Sequence, residues 1–174
     1  KDILLTSNSK SILKIGNKHK ITCIKRSNKN SNSKVNVSKA IDETLKNLNY
    51  NFEGVFLLQV TSPLRKITTL KDFKNFCERR KLNHCLTVTK LYGYISKYSD
   101  KFFNPNFKSR KRTQDLKPYL YENGLLYYFS KNFFQKNKQI YPKKNWNHFI
   151  TNKYEAIDIN DKNDYEVCKK LKKI

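Results

Sequence analysis

The 174-residue sequence contains no methionine, not even at its first position. A complete, unprocessed translation product would begin with one, and this chain opens directly on a strand-like run, Asp2-Ile3-Leu4-Leu5. The expectation is a fragment whose beginning lies upstream. Long apolar runs are missing too. No stretch approaches the ~20 apolar residues that a membrane helix needs, and the best run, Gly54-Val55-Phe56-Leu57-Leu58, has the length of a strand. No basic-then-apolar leader opens the chain, so a soluble cytoplasmic protein, with no membrane partner, is expected. Closely spaced cysteines are absent: Cys23, Cys77, Cys85 and Cys168 form no C-x-x-C pair. That excludes a patterned disulfide framework or zinc site and leaves reduced cysteines in or near the core. His19, His84 and His148 are likewise isolated.

Acidic residues are scarce: 14 Asp and Glu stand against 37 Lys and Arg, a formal net charge of +23. A field of that size attracts polyanions. The lysines, however, are scattered singly through every segment, and Asn and Ile are abundant alongside them. No RNA- or DNA-binding signature accompanies the charge, so it reads as a compositional bias rather than a specific nucleic-acid surface. A nucleic-acid-binding domain would rest on charge alone. What the chain does have is material for a core: 37% hydrophobic residues, with 11 Phe and 11 Tyr, in a length suited to one domain.

The hydrophobic pattern alternates strand and helix. Strands are expected at Ile3–Thr6, Ile21–Ile24, Val55–Gln59, His84–Thr89 and Gly124–Phe129. Helices are expected at Ser9–Lys18, with Ile12, Leu13 and Ile15 inward, and at Val35–Leu48, with Val37, Ala40, Ile41, Thr44, Leu45 and Leu48 at helical spacing. Further helices are expected at Thr68–Arg80, Ser130–Asn137 and Asp161–Leu171. The polar stretch Ser27–Lys34 reads as a loop, and Lys90–Pro118 as an excursion outside the sheet. Such alternation argues for an α/β fold, a mainly parallel sheet with helices on both faces. Ligands in such sheets bind beyond the carboxyl ends of the strands, which points to the loop Gln59–Arg65.

Three segments carry the chemistry. In Leu57-Leu58-Gln59-Val60-Thr61-Ser62-Pro63-Leu64-Arg65 a strand runs into a turn, and Pro63 suits the first position of a short helical turn with free N–H groups and hydroxyls facing a ligand; an ordinary strand-to-helix turn would look the same. Next, Arg112-Thr113-Gln114-Asp115-Leu116-Lys117-Pro118 leads to Glu122-Asn123-Gly124-Leu125-Leu126-Tyr127. An Arg fork can hold a carboxylate by two parallel bonds, and Asn123-Gly124 offers a tight turn before a strand. The last is Ala156-Ile157-Asp158-Ile159-Asn160. Alternate residues of an extended segment face one way, so Asp158 and Asn160 could share a metal ion, or simply end a strand and cap a helix.

Together these segments resemble the acylneuraminate (CMP-sialic acid) cytidylyltransferase family. The family's strand-loop reads L-L-Q-P-T-S-P-L-R, from which only Val60 departs. Its later stretches read approximately R-x-Q-D-L-x-P and E-N-G-x-x-Y, matched by Arg112–Pro118 and Glu122–Tyr127, and its end reads S-I-D-I-D against Ala156–Asn160. Leu5-Thr6-Ser7-Asn8 stands where the family has a strand ending S-T-D, and Arg26 where it has an Arg-Pro pair. The resemblance covers essentially the whole chain.

The resemblance implies a Rossmann-like fold of the nucleotide-diphospho-sugar transferase type, built as a single domain over 1–174. It also implies Mg²⁺-dependent transfer of CMP from CTP to a nonulosonic (sialic-acid-type) sugar with release of pyrophosphate. By position, Arg26, Thr61 and Ser62 would bind the nucleotide. Gln59, Lys97, Arg112, Gln114, Asn123 and Tyr127, with Tyr141, would bind the sugar, Arg112 by its carboxylate. Asp158 and Asn160 would be the catalytic and metal-binding pair. A homodimer is implied, its arm formed near Lys90–Pro118 and Phe133–Trp146. Three departures stand out. The family's opening strand and Gly-Ser-Lys phosphate loop have no counterpart in these residues, so this chain alone is expected to be inactive. Asn160 replaces the family's second acid, and Lys29–Lys34 replaces a Leu-Ala-x-Asp type of loop. The competing reading is a non-catalytic relative that serves as a binding or dimerisation module.

Overall fold

The computed structural model describes residues 3–32, 34–48, 51–105 and 109–172. Asp2, at the opening of the first expected strand, and Ser33, within the loop that follows Arg26, lie outside the described residues, as do residues 106–108 of the expected excursion. The chain forms two compact units: Lys1–Glu53 with Lys131–Ile140, and Gly54–Ser130 with Tyr141–Ile174.

In the first unit, strand β1 (Leu4–Ser7) and strand β2 (Thr22–Lys25) pair in parallel. Helix α1 (Lys10–Lys18) makes the crossover between them. It lies so close to the strands that a Cβ on Gly16 would fall 2.5 Å from both the Cys23 Sγ and a Leu5 methyl. Of the expected inward stripe, Leu13 alone is partly buried. Ile12 and Ile15 are exposed, and Gly16 is the buried residue of α1. Helix α2 (Val37–Lys46) buries Ala40, Ile41 and Thr44, as its spacing predicts, whereas Val37 stays exposed. The Thr44 hydroxyl meets that of Thr6 on β1 at 3.0 Å. Helix α4 (Lys131–Asn137) completes the unit, and the Ser38 hydroxyl, buried at the start of α2, donates to Gln139 just beyond it.

The second unit holds a four-stranded sheet in the order β3-β5-β4-β6: β3 (Gly54–Leu58), β4 (His84–Leu91), β5 (Tyr119–Ser130) and β6 (His148–Ile150). Strands β3, β4 and β6 share one direction, and β5 runs against them between β3 and β4. The α/β class is therefore as the alternation predicts. Helix α3 (Ile67–Arg79) packs its apolar stripe on the sheet, joining Phe73 and Cys77 to Cys85, Leu125 and Leu126 in a fully buried cluster. Phe73 meets Phe56 and Phe149 edge-on, at 6.0 and 5.7 Å between ring centres, a favoured aromatic geometry. All four cysteines are free; Cys77, Cys85 and Cys168 are buried. Helix α5 (Lys162–Leu171) begins with a reciprocal capping box between Asp161 and Asp164. Among the described residues no helix is long and apolar enough to cross a membrane.

Two further expectations change. Strand β6 has no counterpart in the pattern reading, because three residues are too few to establish a period. The Asn123-Gly124 pair is not a turn before a strand but a bulge inside β5. Leu86 pairs with Tyr127 and Val88 with Glu122, so the four residues Asn123–Leu126 stand opposite Thr87 alone. Gly124 adopts φ +68° there, a conformation costly for any residue with a Cβ.

Candidate active site

The loop after β3 is held open by its own arginine. Pro63 does not begin a helix; Gln59–Arg65 makes successive turns, and α3 starts only at Ile67. The Arg65 guanidinium donates to the carbonyl oxygens of Gln59 (2.6 Å) and Leu125 (3.2 Å), pinning the loop to the β5 bulge. Burial pulls this guanidinium below its ordinary pKa. A shallow cleft of about 340 Å³ lies along the loop, lined by Leu58, Gln59, Ser62, Arg65 and Leu70 among others.

The segment that carries Asp158 is tied to the same loop twice. The Ile159 N–H donates to the Thr61 carbonyl oxygen at 2.9 Å. The buried Glu155 carboxylate accepts the Lys66 N–H at 3.2 Å, at the start of α3. Lys66 caps α3 without any side-chain bond of its own, so a carboxylate from far along the chain fills that place, where the helix dipole favours it. These two ties bring Asp158 beside Thr61 and Ser62. Thr61 Oγ1, Ser62 Oγ and Asp158 Oδ1 are all buried and have no hydrogen-bond partner in the protein. Buried polar atoms are ordinarily paired, so three orphans on two adjoining segments mark a place built to receive something. Asn160 differs: it is exposed, and its amide donates to the Asp158 carbonyl oxygen at 3.4 Å.

Tyr127 belongs to the same neighbourhood. Its phenol is pushed well above the ordinary tyrosine range by burial first, then by its hydrogen bond to Glu122 and by the nearby Glu122, Tyr141 and Asp158 groups. Tyr141 stacks on Trp146 at 5.0 Å between ring centres. Gln59 lies alongside the bulge, its amide 3.8 Å from where a Cβ on Gly124 would stand.

The remaining expected residues fall elsewhere or are already engaged. Asn123 is buried with its amide fully spent. Its oxygen accepts from Thr87 Oγ1 (2.7 Å) and the Leu125 N–H (3.1 Å), and its nitrogen donates to Thr89 (2.7 Å) and Thr151 (2.8 Å). With both donors and both lone pairs used, Asn123 holds the bulge and has no capacity left for a ligand. Lys97, Arg112 and Gln114 are exposed on the irregular segment between β4 and β5, and Arg112 already forks onto Asp115, at 2.8 and 3.3 Å. Arg26 sits in the first unit, where its Nε donates to Ser31. Sequence reasoning did not single out Arg65, Glu122 or Glu155. The first two stand inside quoted motifs, whereas nothing local distinguishes Glu155.

No known protein-family model matches the chain. It is similar to the N-acylneuraminate cytidylyltransferases of Streptococcus agalactiae serotypes III and Ia, at 24% identity to each over 171 residues. That match covers 95% of this chain but 41% of either relative, so the chain spans about two-fifths of their length. Among solved structures, a CMP:2-keto-3-deoxy-manno-octonic acid synthetase complexed with CTP superposes with a TM-score of 0.67 at 9% identity, over 99% of this chain and 81% of that one. The 4-diphosphocytidyl-2C-methyl-D-erythritol synthase of Anaerococcus prevotii gives 0.64 at 14% identity, over 99% and 82%. The chain thus resembles N-acylneuraminate cytidylyltransferases along nearly all its length and has the fold of the two solved synthases.

Proposed function

We propose that this chain supplies a cytidylyltransferase site that transfers CMP from CTP to a nonulosonic acid sugar and releases pyrophosphate. The observation that carries the proposal is the orphaned trio, Thr61 Oγ1, Ser62 Oγ and Asp158 Oδ1. The similarity to the streptococcal enzymes, over 95% of the chain, supports it. In this reading Thr61 and Ser62 donate hydroxyl hydrogen bonds to the nucleotide. Gln59 and Tyr127, with Tyr141, face the sugar, while Lys97, Arg112 and Gln114 approach it from the irregular segment, which also serves as the arm of a homodimer.

Asp158 would hold Mg²⁺, with Asn160 alongside as a neutral oxygen donor. One carboxylate fits that ion, because Mg²⁺ keeps several waters and takes its other ligands from substrate phosphates; among the described residues no cluster of three His, Cys, Asp or Glu side chains forms. The ion supplies charge neutralisation at the phosphates. The protein's own part is positioning: the loop hydroxyls fix the nucleotide, the sugar-facing groups orient the attacking hydroxyl, and cations balance charge.

A second reading, a binding or dimerisation module without turnover, is favoured by one observation, the neutral Asn160 beside Asp158. One experiment separates the two. Equilibrium binding of CTP with Mg²⁺ is measured beside CMP-sugar formation from CTP and N-acetylneuraminate, for the chain and for Asp158→Ala. Saturable, Asp158-dependent binding supports the site, and any CMP-sugar formed by these residues, which are expected to be inactive alone, excludes the module. Binding that ignores Asp158, or no binding, removes the site.

A further inference from the structure

The bulge in β5 has a consequence for chemistry. Glu122 and Tyr127 are five positions apart, a separation that would put them on opposite faces of a regular strand. The residues they pair with on β4, Val88 and Leu86, are only two apart. Neighbours at that spacing share a face. The slack chain Asn123–Leu126, braced by Thr87 and by the spent Asn123 amide, therefore delivers Glu122 next to Tyr127. There the buried Tyr127 hydroxyl donates to Glu122 Oε1.

A phenol has one proton to give. We infer that Glu122 is a positioning residue of the ligand site, accepting the Tyr127 hydroxyl's one hydrogen bond so that Tyr127 meets its ligand only as an acceptor; this rests on the site assigned above. The contact at Tyr127 then calls for a hydrogen-bond donor, a hydroxyl or amide N–H of a polyhydroxylated ligand. A carboxylate or phosphate oxygen there would find only lone pairs. The anionic ends of the ligands are thereby sent to the hydroxyl and cationic groups, and the neutral rim of the sugar to Tyr127.

The test uses the 174-residue chain with ring-¹³C-labelled tyrosine. The Tyr127 ring-carbon signals are assigned by their loss in Tyr127→Phe and compared by NMR at neutral pH, in the parent and in Glu122→Gln. Replacing the acceptor carboxylate by an amide should shift the Tyr127 Cζ resonance, which reports the hydroxyl's hydrogen bond, at an unchanged melting temperature. An unmoved resonance overturns the coupling. In parallel, N-acetylneuraminate affinity is measured with CTP and Mg²⁺ present. Glu122→Gln and Tyr127→Phe should each weaken it by about tenfold, the scale of one net hydrogen bond. The double variant should be no weaker than Tyr127→Phe alone. Additive losses would show that Glu122 acts independently and sink the inference. Should the parent bind no N-acetylneuraminate at all, the proposed function fails, and the NMR comparison alone decides whether Glu122 accepts the Tyr127 hydrogen bond.

Discussion

The Ile159 N–H and the Thr61 carbonyl oxygen, 2.9 Å apart, join two segments separated by most of the second unit's sequence. Through this bond the segment that carries Asp158 is held against the loop that carries Thr61 and Ser62, and Thr61 Oγ1, Ser62 Oγ and Asp158 Oδ1 are buried with no hydrogen-bond partner to lose.

That last point is testable. Asp158→Asn should leave the melting temperature of the chain unchanged or raised, because the buried Oδ1 loses no partner and a half-buried charge is removed. Mg²⁺-dependent CTP binding should be lost in the same variant. A large drop in melting temperature, measured by circular dichroism, would mean that Asp158 is a structural residue instead.

Asn160 should respond in the opposite sense. An amide oxygen brings no charge to a cation, so Asn160→Asp should lower the Mg²⁺ concentration needed for half-maximal CTP binding. An unchanged Mg²⁺ titration would take Asn160 out of the cation site. The substitution also places a third acid beside Asp161 and Asp164 at the start of α5, where the helix dipole favours it, so the fold should tolerate it.

The Glu155 carboxylate is the second tie between the same segments. Glu155→Ala should cost about 1–2 kcal/mol in urea unfolding, the range of a lost helix-terminal acceptor with its dipole contribution. Glu155→Gln, which keeps an acceptor oxygen, should recover part of it. Equal losses for both variants would assign the effect to packing.

Arg112 is engaged by Asp115 within one turn, and both are largely exposed. A carboxylate ligand must therefore exchange with Asp115. Asp115→Asn should tighten N-acetylneuraminate binding roughly two- to fivefold, the scale of an exposed ion pair, and leave CTP affinity alone. Weaker binding would show that Asp115 holds Arg112 ready for the ligand.

Gly124→Ala isolates the bulge. A Cβ there meets only the Gln59 amide at 3.8 Å, an ordinary contact, so the cost comes from the backbone at φ +68°. Roughly 1–2 kcal/mol is expected for a non-glycine residue in the left-handed region. Urea denaturation measures it, and a neutral result would mean that the bulge relaxes.

What the sequence by itself determined is local and periodic. The apolar stripe of Phe73 and Cys77 made α3 legible, the uninterrupted run Gly54–Leu58 announced a strand, and Asp161 with Asp164 marked the start of α5. The resemblance of Gln59–Arg65 and Glu122–Tyr127 to one family pointed to the site in the same local way, and it agrees with the relatives and fold found for the whole chain. The tertiary structure alone decided the rest, because those relationships have no period. Gly16 reads as one helical residue until the strands lie 2.5 Å from its absent Cβ. Asn123-Gly124 is chemically a turn pair, and only pairing on both sides of β5 makes it a bulge. Asn123 looks like a ligand contact in a motif, but Thr87, Thr89 and Thr151 come from two other segments to claim its amide. Glu155 acquires a role only when α3 presents an uncapped N-terminus to it. Side-chain partners of this kind are fixed by which segments meet, and that follows from burying the core rather than from any local residue pattern.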